Sequence, residues 1–249
     1  MTRLLEICID SLASARAAIR GGADRLELCS ALALGGLTPH AELLQQIREE
    51  SDIPVRCLMR SRAGDFLYGR DEINLMVRQI RTLKKAGADG FVIGCLTDVG
   101  DLDDEAMKPL IDAADGAGLT LHRCIDVSCD PMETYLQAAY LGFDTVLTSG
   151  AAANCVAGLD TIRTLLNLRD RMDGPEILIG AGVNPANAQR LVTALPHARA
   201  FHGSCKTIVE SRMQFRREDV PMGLPNLDEW HIQQTDEAQV RALKAAINA

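Results

Sequence analysis

Two short runs near the start of the chain share one grammar. Leu4-Leu5-Glu6-Ile7-Cys8 and Arg25-Leu26-Glu27-Leu28-Cys29 each place a cysteine two residues after a glutamate. In an extended strand that spacing puts the acid and the thiol on one face. A carboxylate so placed can serve as general acid or base. Two thiolates on neighbouring strands, about 4.8 Å apart, could bind a soft ion such as Cu(I). Cys8 and Cys29 are therefore candidate metal ligands, and Glu6 and Glu27 candidate catalytic carboxylates. Each has a plainer alternative. Buried cysteines often act as small hydrophobes, and buried carboxylates often belong to structural ion-pair networks. In either case the two glutamates need cationic or donor partners, for which Arg25, Arg60 and His122 are the candidates.

Other polar residues follow strand-like runs in the same way. Arg60 and His122 join the candidate catalytic group. Arg60-Ser61-Arg62-Ala63-Gly64-Asp65 sets two arginines beside a glycine turn, where Arg62 could grip an anion; the plain alternative is a solvated basic loop. Gly180-Ala181-Gly182 and His202-Gly203-Ser204 end two further apolar runs. Exposed main-chain N–H groups at such turns can hold a phosphate or carboxylate, although glycines also serve simply as tight turns. Gly180, Gly182, His202, Gly203 and Ser204 are thus candidate anion-binding residues. His202, with His122 and Cys124, could instead extend a metal site.

The elements that must position these groups can be read from periodicity. Eight strand-like segments start near Leu4, Arg25, Val55, Gly90, Leu119, Asp144, Ile177 and Arg199, with helical patterns between them. Gly22-Ala23-Asp24, Gly87-Ala88-Asp89 and Gly142-Phe143-Asp144 repeat one junction: a glycine ends a helix, an acid follows and a strand begins. The pattern predicts one α/β domain over residues 1–249, a (β/α)8 barrel, whose chemistry lies at the carboxyl ends of its strands. An open doubly wound sheet would need a glycine-rich fingerprint after the first strand, where Cys8-Ile9-Asp10-Ser11 stands instead. Thr38-Pro39 and Asn184-Pro185 predict helix starts, and Thr235-Asp236-Glu237 opens a last helix. Residues 205–234 read as a long irregular segment, which could form a partner or dimer surface through Leu224, Leu227 and Trp230.

Composition narrows the function. A net charge of −8 argues against nucleic acid as a partner. No apolar run is long enough to suggest a membrane span, and no signal-peptide pattern opens the chain, so a cytoplasmic location is expected. The eight cysteines include no CxxC pair and are expected to be reduced thiols.

The motifs together resemble the CutC family of copper homeostasis proteins. The resemblance begins at Leu4-Leu5-Glu6-Ile7-Cys8, Gly22-Ala23-Asp24-Arg25-Leu26-Glu27-Leu28-Cys29 and Gly35-Gly36-Leu37-Thr38-Pro39. It continues through Arg60-x-Arg62-x-Gly64-Asp65-Phe66-x-Tyr68, His122-Arg123, Asp126, Leu147-Thr148-Ser149-Gly150, Gly180-Ala181-Gly182-Val183 and Phe201-His202-Gly203-Ser204, to Met213-x-Phe215-Arg216. Ser61, Ala63 and Cys124-Ile125 depart from the family pattern. The resemblance implies a TIM-type barrel, a cytoplasmic homodimer and a role in Cu(I) binding or handling, with copper as cofactor or cargo. The residues alone keep a second possibility open, a barrel enzyme acting on a small phosphorylated or otherwise anionic metabolite.

Overall fold

The first strand shows why the chain closes on itself. In β1 (Leu4–Ile9) the residues Leu5, Ile7 and Ile9 join the main apolar core, while Cys8 belongs to a separate cluster with Cys29, Leu58 and Val92. Alternate side chains therefore point to two different interiors, one under the helices and one inside the sheet. The same division holds for β2 (Arg25–Leu28), β3 (Val55–Leu58), β4 (Gly90–Ile93), β5 (Gly118–Leu121), β6 (Thr145–Thr148), β7 (Glu176–Ile179) and β8 (Ala200–Gly203). These eight strands pair in parallel and in sequence order, and β8 pairs with β1 to close a (β/α)8 TIM-type barrel. The structure is a computed structural model describing residues 2–217, 219–220, 222–223 and 228–249.

Among the described residues, seven α-helices lie between consecutive strands: α1 (Leu12–Gly21), α2 (Ala41–Glu50), α3 (Arg70–Lys85), α4 (Asp104–Ala114), α5 (Pro131–Tyr140), α6 (Leu159–Met172) and α7 (Pro185–Ala194). A last helix, α8 (Glu237–Ile247), packs on α1 and α7. Asn184 caps α7 through the N–H groups of Ala186 and Asn187, ahead of Pro185, and Asp236 caps α8. The expected start at Thr38-Pro39 is corrected: α2 begins at Ala41. The Thr38 hydroxyl is used elsewhere, donating to the Arg60 carbonyl and accepting the Arg60 N–H. Among the described residues, no helix is long and apolar enough to cross a membrane.

The repeated Gly-x-Asp junction has a definite job. Asp24 accepts the Leu5 N–H at 2.6 Å, Asp89 that of Val55 at 2.7 Å, and Asp144 that of Leu119 at 2.8 Å. Each carboxylate ties the entrance of one strand to the entrance of the next. Each also meets a cation: Lys244, Arg48 and Arg56 respectively. Arg56 lies at the amino end of the barrel, 2.7 Å from Asp144 and within hydrogen-bond reach of the Thr120 and Thr145 hydroxyls. Gly118 leaves room for it, since a Cβ there would come within 2.7 Å of an Arg56 nitrogen.

The irregular reading of 205–234 is also corrected. The segment contains an antiparallel pair, β9 (Lys206–Glu210) and β10 (His231–Thr235), with Ile208 facing Gln233 and Val209 facing Ile232 across the ladder. Thr207-Ile208-Val209 supplies the β-branched run that favours a strand. Its alternation is masked because both faces of β9 are exposed. Leu224 and Leu227 lie outside the described residues.

Candidate functional site

Strand register decides which charges meet at the barrel centre. Glu6 stands opposite Arg25 on one side and His202 on the other. Its carboxylate, fully buried, pairs with the Arg25 guanidinium and with His202 Nδ1 at 2.8 Å. Burial acts to raise the Glu6 pKa, but Arg25 and then His202 overcome it and hold the group at about 2. Of the three partners expected for the glutamates, Arg25 takes the role. Arg60 and His122 do not, and His202 stands in their place.

Glu27 has the opposite character. Burial, the largest influence, raises its pKa; His202 opposes this and Glu6 reinforces it. Glu27 Oε2 lies 3.8 Å from His202 Nε2 and 3.5 Å from the Cys29 sulfur. Burial and then Glu27 push the Cys29 thiol well above its ordinary range, so it keeps its proton. His202 moves upward: burial disfavours the imidazolium, but Cys8 and Glu27 outweigh it.

The side-by-side placement expected for Cys8 and Cys29 is corrected by the stagger of the strands. The ladder sets Cys8 against Glu27, and Cys29 lies two residues further on, just past the end of β2, where its N–H donates to the Ile9 carbonyl. The two cysteines still share one apolar cluster with Leu58 and Val92. The compact donor set is Cys8, Glu27 and His202, whose ligand atoms all lie within 4.8 Å of one another. Thiol, imidazole and carboxylate together can hold a transition metal, and a soft ion would prefer the first two.

Above this floor opens a cavity of about 440 Å³ at the carboxyl ends of the strands. Cys8, Glu27, Arg60, His122 and His202 border it, as do Gly182, Gly203 and Ser204 on the closing loops. Two predicted anion residues are elsewhere. Arg62 turns away to Asp65 and Glu72 and stacks over Tyr68, while Gly180 packs against Leu147. Arg60 lies over the Phe66 ring, which in turn stacks on His122 at 4.6 Å. Gly94 admits that imidazole, because any Cβ there would approach the ring to 2.6 Å.

His122 is held as a neutral donor. Its Nδ1 accepts the Cys124 N–H at 3.1 Å, which leaves the ring proton on Nε2. Burial first and the Arg60 charge second push its pKa down to about 3.

Arg123 and Lys206 also line the cavity, and neither is among the candidate site residues that the strand ends suggest. Arg123 follows His122 directly and could have been found from that position. Its Nε donates to Asp126 at 2.7 Å. Asp126 also accepts from the Thr148 hydroxyl and from the N–H groups of Ser149 and Ala151, and so joins the loops after β5 and β6. Chemically, Glu6 is a locked anion, Glu27 a buried carboxyl with a raised pKa beside a thiol and an imidazole, and His122 a fixed N–H donor.

The comparisons with known proteins agree on one family. The family model described as CutC family matches residues 3–207. A family protein CutC from Photobacterium profundum is 39% identical over 249 residues, covering 100% of this chain and 99% of that protein. The human copper homeostasis protein cutC homolog is 39% identical over 244 residues, covering 97% of this chain and 88% of that protein. The crystal structure of a copper homeostasis protein CutC from Streptococcus agalactiae superposes with a TM-score of 0.76 at 28% identity, covering 81% of this chain and 98% of that one.

Proposed function

The chain belongs to the CutC family, and from that premise we propose that it serves copper homeostasis by binding Cu(I) as cargo inside its barrel. The observation that carries this reading is the buried grouping of Cys8, Glu27 and His202 within 4.8 Å. Copper(I) favours thiolate and imidazole, so Cys8 and His202 are the direct ligands. Cys29 is the second thiol, recruited when it gives up the proton it shares with Glu27. Glu6 holds the His202 ring through Nδ1 and leaves Nε2 toward the ion, the usual carboxylate–histidine support of a metal ligand. The deep placement shields a redox-active ion from solvent. The reading includes a cytoplasmic location and a homodimer, the latter checked by sedimentation of the full chain.

Binding displaces protons from thiols and from His202, so affinity rises with pH. Anaerobic competition against a chromogenic Cu(I) chelator tests the proposal. Cys8→Ala with Cys29→Ala is expected to abolish competition, and Glu6→Gln to weaken it by roughly 10- to 100-fold. Wild-type affinity in the double cysteine variant would overturn this site.

A further inference from the structure

Two buried donors near the barrel mouth have nothing to donate to. Arg60 Nε and His122 Nε2 are both sealed from solvent and without a hydrogen-bond partner among the described residues. Such groups are costly to leave without a partner. Among the described residues, the rest of the Arg60 guanidinium bonds only to main-chain carbonyls, those of Leu34, Gly36 and Gly64. Among the described residues no carboxylate lies within 4.0 Å of it, although the other cavity arginine, Arg123, has Asp126. Lys206, also on the cavity wall, bonds the neutral Gln233 side chain. The mouth therefore carries two cations without counter-charges and one neutral ring N–H.

The acids of the floor are turned to other partners. Glu6 is paired with Arg25 and His202, and Glu27, which borders the cavity, faces His202 at 3.8 Å. Leu32, Leu34, Leu58, Phe66 and Leu147 complete the walls, and about 440 Å³ suits a small metabolite.

We propose that the barrel mouth binds the oxyanion group of a small molecule, a carboxylate or phosphate, through the Arg60 guanidinium and the His122 ring N–H. The anion supplies the counter-charge that Arg60 lacks and the acceptor that His122 lacks. The leucine and phenylalanine walls take the uncharged body. The site is separate in its donors from Cys8, Glu27 and His202, so it stands without the copper reading.

The test uses the metal-free full chain, with inorganic phosphate and malonate as probes and chloride at matched ionic strength as reference. Thermal stabilisation is followed together with the His122 ring-nitrogen NMR signals. One of the two anions is expected to stabilise saturably and to shift the His122 Nε2 signal; which one does so tells phosphate from carboxylate. Arg60→Gln should weaken that binding by roughly tenfold or more, the loss of about one charged hydrogen bond. His122→Asn should do the same while its side-chain oxygen keeps the cap on the Cys124 N–H. If a variant does not fold, the wild-type His122 signal decides alone. A signal unmoved by either anion, or unchanged affinity in both folded variants, overturns the proposal. Neither variant removes a copper donor, so a failed Cu(I) titration and a failed anion titration are read independently.

Discussion

Arg56 and Arg60 sit four residues apart at opposite ends of β3, and their surroundings differ. Arg56 at the amino end meets Asp144 and two threonine hydroxyls. Among the described residues, Arg60 at the carboxyl end has carbonyl oxygens, the Phe66 ring and an unpartnered Nε. Arg56 lies inside β3 and Arg60 two residues past its end, so the contrast is set by what each end of the barrel supplies. The amino end is a closed polar network, in which the arginine charge is answered within the protein. At the carboxyl end the Arg60 charge has no carboxylate partner among the described residues and borders a cavity. A closed network contributes to the fold, whereas an open one keeps its interactions for a ligand.

The sharpest way to break this comparison is to unpair the closed sites. Arg25→Gln strands a fully buried Glu6 with His202 alone, and should cost about 3–5 kcal/mol in urea unfolding. Arg56→Gln should cost less, about 2 kcal/mol, because Asp144 is half-exposed and water can answer it. Arg60→Gln should change stability by less than about 1 kcal/mol. Equal losses at Arg56 and Arg60 would end the distinction between the two ends.

Acid offers a smaller and graded version of the same test. Glu6 titrates at about 2 in the fold against 4.5 as its reference. The unfolded chain binds more protons between those values, so this stability is present above about 4.5 and fades as pH falls toward 2, by a few kcal/mol. His122 titrates at about 3 in the fold against 6.5. Its contribution starts to fade earlier, as pH falls below about 6.5, again because the unfolded state takes up the proton. Stability curves of Glu6→Gln and His122→Asn should each flatten one of these windows. A variant that flattens neither would dissociate acid lability from the barrel interior.

Much of the scaffold is legible in the sequence because it rests on local signals. The expected strand starts at Leu4, Arg25, Val55 and Gly90 are those of the structure, and the other four fall within one residue. Apolar alternation and glycine-ended helices carry that information. The site is less legible because it depends on register. Nothing local says that Cys8 faces Glu27 rather than Cys29, since the stagger between strands is set by closure of the whole barrel. His202 could not be matched to Glu6 for the same reason, because the two strands meet only where the sheet closes. Gly94 gives no sequence signal that its missing side chain makes room for His122. The β9–β10 pair went unread because exposure on both sides removes the alternation that marks a buried strand.

The aspartate ties also bear on the order in which the molecule assembles. They join residues 19, 34 and 25 positions apart, so each can form from chain already made nearby. The Glu6–His202 bond spans 196 positions. During synthesis three strand pairs can be fastened while the acid in β1 still waits for its imidazole. Pulse-labelled amide exchange should therefore protect Val55 and Leu119 before the Glu6–His202 pair is formed; simultaneous protection would contradict this order. The histidine that completes the Glu6 pairing also reports that the last barrel strand has arrived, so a chain stalled before β8 holds its fasteners but not the finished centre.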